Sequence, residues 1–340
     1  MRTGQLCRGY SRRMKQRVLG KTGRSVSVVG LGTWQLGADW GNVDLKDAND
    51  ILEAAVDSGV TFFDTADVYG DGRSEQIIGT FLAANPGLDI TVATKIGRRL
   101  EQKPENYTLA NFGQWVDRSR RNLRTECLDL VQLHCPPTPV YSRPEVYDAL
   151  ETLVDVGAIK EYGVSVERTE EALEAIKHGT ATVQIILNAF RLKPLDEVLP
   201  AAKKAGVGII ARVPLASGLL SGKYSKDTVF AENDHRKYNR NGAAFDVGET
   251  FSGVDFEQGL KAVEEFKKIV PSGATTAQAA IAWIAARDGV STVIPGARNP
   301  GQARTNAASA QLLDHLGPDF ENRVREIYDT YFREMIHSRW

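Results

Sequence analysis

The chain has 340 residues, of which 42% are hydrophobic and 25% charged, and its formal net charge is −1. That length fits two average domains or a single eight-fold β/α barrel, and the composition is that of a globular protein with a sizeable core. The charge balance gives no reason to expect nucleic acid or an anionic membrane as partner, and no apolar run approaches the roughly 18–20 residues of a membrane span.

The N-terminus, residues 1–13, is basic and contains Ser11, Arg12 and Arg13, a twin-arginine-like run. The apolar run that follows, residues 26–31, is too short for an export signal and is needed as a strand. Residues 1–13 therefore read as a disordered or non-native extension, and residues 14–340 as one barrel domain. The cysteines Cys7, Cys127 and Cys135 are odd in number and sparse. They suit a reducing, cytoplasmic setting better than a disulfide framework, and no metal site is expected from their spacing.

Strand-like and helix-like runs alternate from residue 26 onward. A short hairpin is predicted at residues 17–18 and 25–28, then a first barrel strand at 29–33. Further strands are predicted at 61–64, 90–95, 128–134, 162–165, 183–188, 208–213 and 290–295. These runs are short and rich in Val and Ile, as in strands buried on both faces. The intervening stretches are amphipathic: Ala48, Ile51, Leu52, Ala55 and Val56 share one face of a helix at 47–58. Gly59, Gly157 and Gly206 sit where such helices stop. Strands alternating with helices in this way give an α/β fold, the (β/α)8 TIM barrel. A doubly wound open sheet would want Gly-x-Gly-x-x-Gly after its first strand; Gly30 and Gly32 are present, but Gln35 takes the third position. One connection after strand seven, residues 223–254, is long and polar, with Tyr224, Phe230, Tyr238, Phe245 and Phe251 along it. Loops of this length in compact domains are usually functional, and on a barrel this one lies at the active-site face.

Barrel chemistry sits at the C-terminal ends of strands. Strand two ends at Asp64, with Tyr69 five residues on; strand three ends at Lys95; strand four ends at His134. Each follows an apolar run, where a polar or charged group is costly to hold. The four groups make chemical sense together. A phenol is a weak acid at neutral pH, a nearby ammonium favours its ionised form, a carboxylate holds that ammonium, and an imidazole orients a carbonyl.

The segments Phe63-Asp64-Thr65-Ala66-Asp67-Val68-Tyr69-Gly70, Ala93-Thr94-Lys95 and Leu130-Val131-Gln132-Leu133-His134 resemble the catalytic signatures of the aldo-keto reductase family. The resemblance runs from about residue 14 to the end. It implies that Tyr69 is the general acid, that Asp64 and Lys95 tune it, and that His134 orients the carbonyl of a small-molecule aldehyde or ketone. It also implies NADPH as cofactor, bound without an open dinucleotide-binding sheet. Ile294-Pro295-Gly296-Ala297-Arg298 resembles the family's phosphate-binding turn, which implies contacts from Gly296 and Arg298 and, one face along the next helix, from Gln302 and Asn306. Backbone amides opening a helix suit an anion, and a guanidinium suits a 2′-phosphate. Thr305 stands where the family usually has an acid.

The run Ser217-Gly218-Leu219-Leu220-Ser221-Gly222-Lys223 resembles the pyrophosphate loop, implying contacts from Ser217, Gly218, Leu220, Gly222 and Lys223. Gly32 and Thr33 resemble the first-strand contact, and Ser165 and Gln184 the carboxamide contacts, with Val166 where the family has Asn. Ahead of Pro214 and Leu215, Arg212 replaces the aromatic ring that often stacks on the nicotinamide. It either stacks there as a cation or pairs with a phosphate or loop carboxylate. Trp34, Trp40, Tyr69, His134 and Phe190 are expected to line the substrate pocket, with Cys135 as a small neighbour. Asp234-His235-Arg236 is either a clamp over the cofactor or a solvated charge cluster. The rival function is that of the family's channel-associated β-subunits, a slow NADPH-binding regulator on the same scaffold. A barrel hydrolase would need a metal site or a carboxylate pair. Oligomeric state and substrate are not fixed by these features.

Overall fold

The computed structural model describes residues 14–37, 44–232, 234–244 and 246–340. The expected N-terminal extension and the expected positions of Trp40 and Phe245 fall outside that range.

Strands β1 (Gln16–Val18) and β2 (Ser25–Ser27) form the antiparallel hairpin. The barrel strands follow as β3 (Leu31–Gly32), β4 (Phe62–Asp64), β5 (Thr91–Ile96), β6 (Leu130–His134), β7 (Tyr162–Ser165), β8 (Thr182–Ile186), β9 (Gly208–Arg212) and β10 (Val290–Val293). They make one eight-stranded parallel sheet in sequence order. Bridges Val29 to Val293 and Gly32 to Gly296 bring its two edges together, so the sheet curls into a nearly closed barrel. The first strand is shorter than expected because its pairing with β10 is irregular: Gly30 and Gly32 donate to the carbonyls of Val293 and Pro295, and Pro295 has no N–H to return.

Helices lie between the strands: α1 (Leu45–Asp57), α2 (Arg73–Ala84), α3 (Leu109–Leu123), α4 (Pro144–Asp155), α5 (Thr169–Lys177) and α6 (Val198–Ala205). After β9 come a short α7 (His235–Tyr238), then α8 (Phe256–Ile269) and α9 (Thr276–Ala285); α10 (Pro300–Ala308) and α11 (Pro318–Tyr331) follow β10. Local chemistry sets their ends. Asp44 caps α1 by accepting from the Asp47 amide at 2.7 Å, and Gly206 ends α6 at φ 68°, a left-handed turn that needs no Cβ. Among the described residues, no helix is long and apolar enough to cross a membrane.

The barrel interior is layered. Residues two apart on a strand face the same side, so Phe62, Ala93, Leu130 and Ile210 form an apolar floor with Leu19 and Val26 of the hairpin. The hairpin plugs this N-terminal end; Ser291 Oγ donates to the Val18 carbonyl there at 3.1 Å. One step up each strand the same register places Asp64, Lys95, Gln132 and Arg212, and a further step up β6 places His134. The apolar floor therefore dictates that the polar side chains emerge at the opposite mouth.

Candidate active site

Lys95 is 1% exposed and anchored at the centre of the site. Its Nζ donates to Asp64 Oδ1 at 2.6 Å, to the Thr65 carbonyl at 2.9 Å and to the Tyr69 hydroxyl at 3.3 Å. The other Asp64 oxygen accepts from Gln184 Nε2 at 2.7 Å and Gln132 Nε2 at 3.4 Å, so the carboxylate is held from two further strands. Burial alone would strip Lys95 of its proton, but Asp64 and Tyr69 outweigh it, and the ammonium is held above its ordinary pKa. The Tyr69 ring packs edge-on to His134, centroids 5.9 Å apart, and stacks on Trp34 at 6.0 Å. All four expected catalytic residues thus meet at one point.

One expectation is corrected in sign. Lys95 was expected to bring the Tyr69 phenol down. Burial pushes it up, and the ammonium offsets only part of that rise, so the resting phenol is a firm proton holder. His134 is driven well below its ordinary range by burial and by the cations Arg98, Lys95 and Arg212, so its imidazole is neutral. Its Nδ1 is buried without a partner among the described residues.

Arg212 ends β9 in the wall of the same cavity, and its surroundings settle one of the alternatives. It pairs with Glu167 at 2.8 Å and with Glu249, in the long loop, at 2.7 Å, and also donates to the Val166 carbonyl at 3.0 Å. It is therefore a neutralised cation, tied to a loop carboxylate. Burial and the charge of Glu249 keep a proton on Glu167. Burial acts the same way on Glu249, but Arg212 prevails and holds it ionised. Cys135, Glu167 and Glu249 bring possible metal-ligand atoms within 4.8 Å of one another. The Arg212 guanidinium already supplies a cation to all three, with Cys135 Sγ at 3.6 Å. Burial raises the Cys135 thiol to about 12, which keeps it protonated and inert.

The backbone here is strained. Cys135 has φ 48° and Val213 φ 52°, a conformation a β-branched residue rarely takes. Asn188 supports the second: its Nδ2 donates to the Val213 carbonyl at 2.9 Å and to Ser252 Oγ at 2.7 Å. Such strain is held only where the surroundings over-determine it, and it fixes how Arg212 enters the cavity.

A cavity of about 820 Å³ runs from this cluster along the barrel mouth. Gly32, Thr33, Trp34, Ser165, Gln184, Arg212, Pro214, Leu215, Ser217, Gly218 and Lys223 line it. Its far end is lined by Gly296, Arg298, Gln302, Asn306 and Thr305 at the start of α10, with His235 and Arg236 from the long loop opposite. Asn299 caps α10 by accepting from the Gln302 amide at 2.9 Å, Gln302 Oε1 accepts from the Arg298 amide at 2.8 Å, and Asn306 donates to the Gly296 carbonyl at 3.0 Å. The turn is thus pre-shaped by its own side chains, beside the basic residues Lys223, Arg236 and Arg298.

Three expected positions do not line the cavity. Leu220 is fully buried in the core, because the loop's 3-10 turn points it inward. Gly222 only closes that turn, its amide bonding to the Leu219 carbonyl. Phe190 is also fully buried and packs on Phe332 at 4.7 Å, because the Asn188 side chain folds the strand end inward before Phe190 can reach the mouth. Asp234 pairs with Arg236, so the loop triplet is an internally paired cluster that also borders the cavity. Sequence reasoning missed Arg98 and Glu249. Arg98 stands two residues past β5, where a strand-end reading could have found it. Glu249 is brought in by the long loop and had no signal.

The profile described as the aldo/keto reductase family matches residues 28–329. The aldo-keto reductase YhdN of Bacillus subtilis is 30% identical over 297 residues, covering 85% of this chain and 86% of that protein. A probable voltage-gated potassium channel subunit beta of Arabidopsis thaliana is 30% identical over 339 residues, covering 93% and 97%. The solved structure of a glycerol dehydrogenase from Gluconobacter oxydans superposes with a TM-score of 0.76 at 30% identity, covering 93% of this chain and 95% of that one.

Proposed function

The chain belongs to the aldo/keto reductase family, and on that premise we propose that it is an NADPH-dependent oxidoreductase that reduces aldehydes or ketones to alcohols. The observation that carries this reading is the hydrogen-bonded chain Asp64–Lys95–Tyr69 beside a neutral His134 at one end of a long cavity whose other end is basic. A volume near 820 Å³ suits an extended ligand, and the two ends differ in the way that a dinucleotide phosphate needs. Lys223, Arg236 and Arg298 would meet its phosphates, Arg298 being the guanidinium suited to a 2′-phosphate; Ser165 and Gln184 line the end nearest Tyr69.

When bound, NADPH supplies the hydride. The chain's own residues do the rest. The neutral imidazole of His134 offers one N–H to the substrate carbonyl oxygen and so places it next to the Tyr69 hydroxyl. Tyr69 gives its proton to that oxygen as negative charge builds there. Burial keeps the phenol loaded before the reaction; the Lys95 ammonium, 3.3 Å away, stabilises the phenolate left behind. Asp64 keeps Lys95 charged and aimed, and the two glutamines keep Asp64 in place.

The test is a panel of aldehydes and ketones assayed with NADPH and with NADH. Turnover with NADPH, and much weaker use of NADH, is expected. The channel-subunit relative favours a second reading, a regulator that binds NADPH and turns over slowly. Tight NADPH binding with negligible turnover across the panel would favour it.

A further inference from the structure

Arg98 follows β5, the strand that carries Lys95, and lines the cavity together with Trp34, Tyr69, His134 and Cys135. Its Nε donates to the His134 main-chain carbonyl at 2.9 Å, and this is its only hydrogen bond among the described residues. None of their carboxylate oxygens lies within the 4.0 Å of an ion pair. The contrast with Arg212 is sharp. That second guanidinium in the same wall takes both nearby carboxylates, Glu167 at 2.8 Å and Glu249 at 2.7 Å. Burial, helped by the charge of Glu249, pushes the Glu167 carboxyl up to about 8. At neutral pH the wall therefore carries the two cations Arg98 and Arg212 against one full carboxylate charge.

Glu249 and Glu167 hold the Arg98 charge from beyond ion-pair distance, but its remaining N–H groups border a substrate-sized cavity with no acceptor among the described residues. One N–H suffices to tie down the His134 carbonyl, and the guanidinium's remaining donors form the planar fork that matches an oxyanion. We propose that Arg98 binds an anionic oxygen group, carboxylate or phosphate, on the substrate, so that the pocket selects carbonyl compounds bearing such a group near the reacting carbon. This inference rests on the carbonyl-reductase reading above. Arg98 acts on binding: it orients the substrate, while proton transfer stays with Tyr69.

The experiment compares 2-, 3- and 4-carboxybenzaldehyde with their methyl esters, and 4-formylphenyl phosphate with 4-methoxybenzaldehyde, in wild type and Arg98→Gln. The glutamine keeps a donor for the His134 carbonyl and removes the charge. In wild type at least one anionic aldehyde should exceed its neutral partner in kcat/KM by about 10-fold or more, the scale of a charge-assisted hydrogen bond. The aldehydes that do so distinguish carboxylate from phosphate. Arg98→Gln should abolish that preference, mainly through KM, the anionic aldehydes losing at least about 10-fold more than their neutral partners. Neutral partners that equal or surpass every anion in wild type would overturn the proposal, as would an equal loss on both classes in Arg98→Gln. A parallel titration of benzoate and phenyl phosphate against the NADPH complex, followed by nicotinamide fluorescence, reads binding without turnover. If no aldehyde reacts, the reductase reading fails alone. Arg98 then stands if the wild-type complex binds either anion and Arg98→Gln does not, and falls otherwise.

Discussion

Asp67 shows how a residue inside a catalytic signature can serve stability at a cost. It is fully buried, and neither carboxylate oxygen has a partner among the described residues. Burial, with help from the charge of Glu75, raises its pKa from 3.8 to about 7. The native state thus holds a proton that the unfolded chain gives up near pH 4, so stability should fall as pH rises between about 4 and about 7 and stay reduced above that. Asp67→Asn removes this titration. The variant should match wild type near pH 4 and be more stable at pH 8 by up to about 4 kcal/mol. Denaturant melts at both pH values check it; a wild-type stability that rises across that interval would contradict the assignment. The four proposed catalytic residues could be read from the sequence because Asp64, Lys95 and His134 stand at strand ends and Tyr69 in the loop just after one, and strand ends are visible as breaks in apolar runs. The direction of the Tyr69 shift could not, since it depends on how deeply the hydroxyl is buried, and depth is a property of the packed barrel.

Among the elements, β9 and the long loop after it are coupled through Arg212. Glu167 reaches it from the loop after β7 and Glu249 from the far end of the long loop. Removing one partner of a buried ion pair strands the other, which typically costs 3–5 kcal/mol. Arg212→Met should therefore destabilise the protein by about that amount, and the double variant Arg212→Met/Glu249→Gln should recover part of it. Thermal or chemical melts of the three proteins decide this; a single variant as stable as wild type would show the pairs to be idle.

The N-terminus of α10 has its own test. Arg298→Ala should weaken NADPH by roughly 10- to 100-fold, the worth of a charge-assisted bond, with little change for NADH. Equal losses for both cofactors would make Arg298 structural. Most elements were legible from periodicity and helix-ending glycines. The errors came where a turn redirects the chain: the inward twist of Leu220 and the fold-back at Asn188 that buries Phe190 are set by left-handed backbone and side-chain hydrogen bonds, which leave no mark on hydropathy.

At the scale of the whole molecule, the barrel separates stability from chemistry by layer. The hairpin and the floor of Phe62, Ala93, Leu130 and Ile210 close one end, and every proposed reactive group opens at the other. At that second end Trp340 packs against the loops after the strands. Trp340 is 2% exposed, and the Arg191 guanidinium lies 3.8 Å over its ring, next to the loop that carries Glu249. Trp340→Ala should cost about 3–5 kcal/mol, as for other buried tryptophans; an unchanged melting temperature would refute that packing role. This contact had no signal in the sequence, because it joins residues 191 and 340 through tertiary packing alone. The barrel itself was legible because its alternation of buried strands and amphipathic helices repeats along the whole chain.

The central claim is that Tyr69 delivers the proton in carbonyl reduction. Tyr69→Phe keeps the ring packed between Trp34 and His134 and removes only the hydroxyl. The decisive measurement is single-turnover NADPH oxidation by this variant and by wild type with the best aldehyde of the panel, alongside NADPH affinity. The account predicts a rate at least about 100-fold lower in the variant with NADPH binding unchanged. A variant that turns over at a near-normal rate would contradict it.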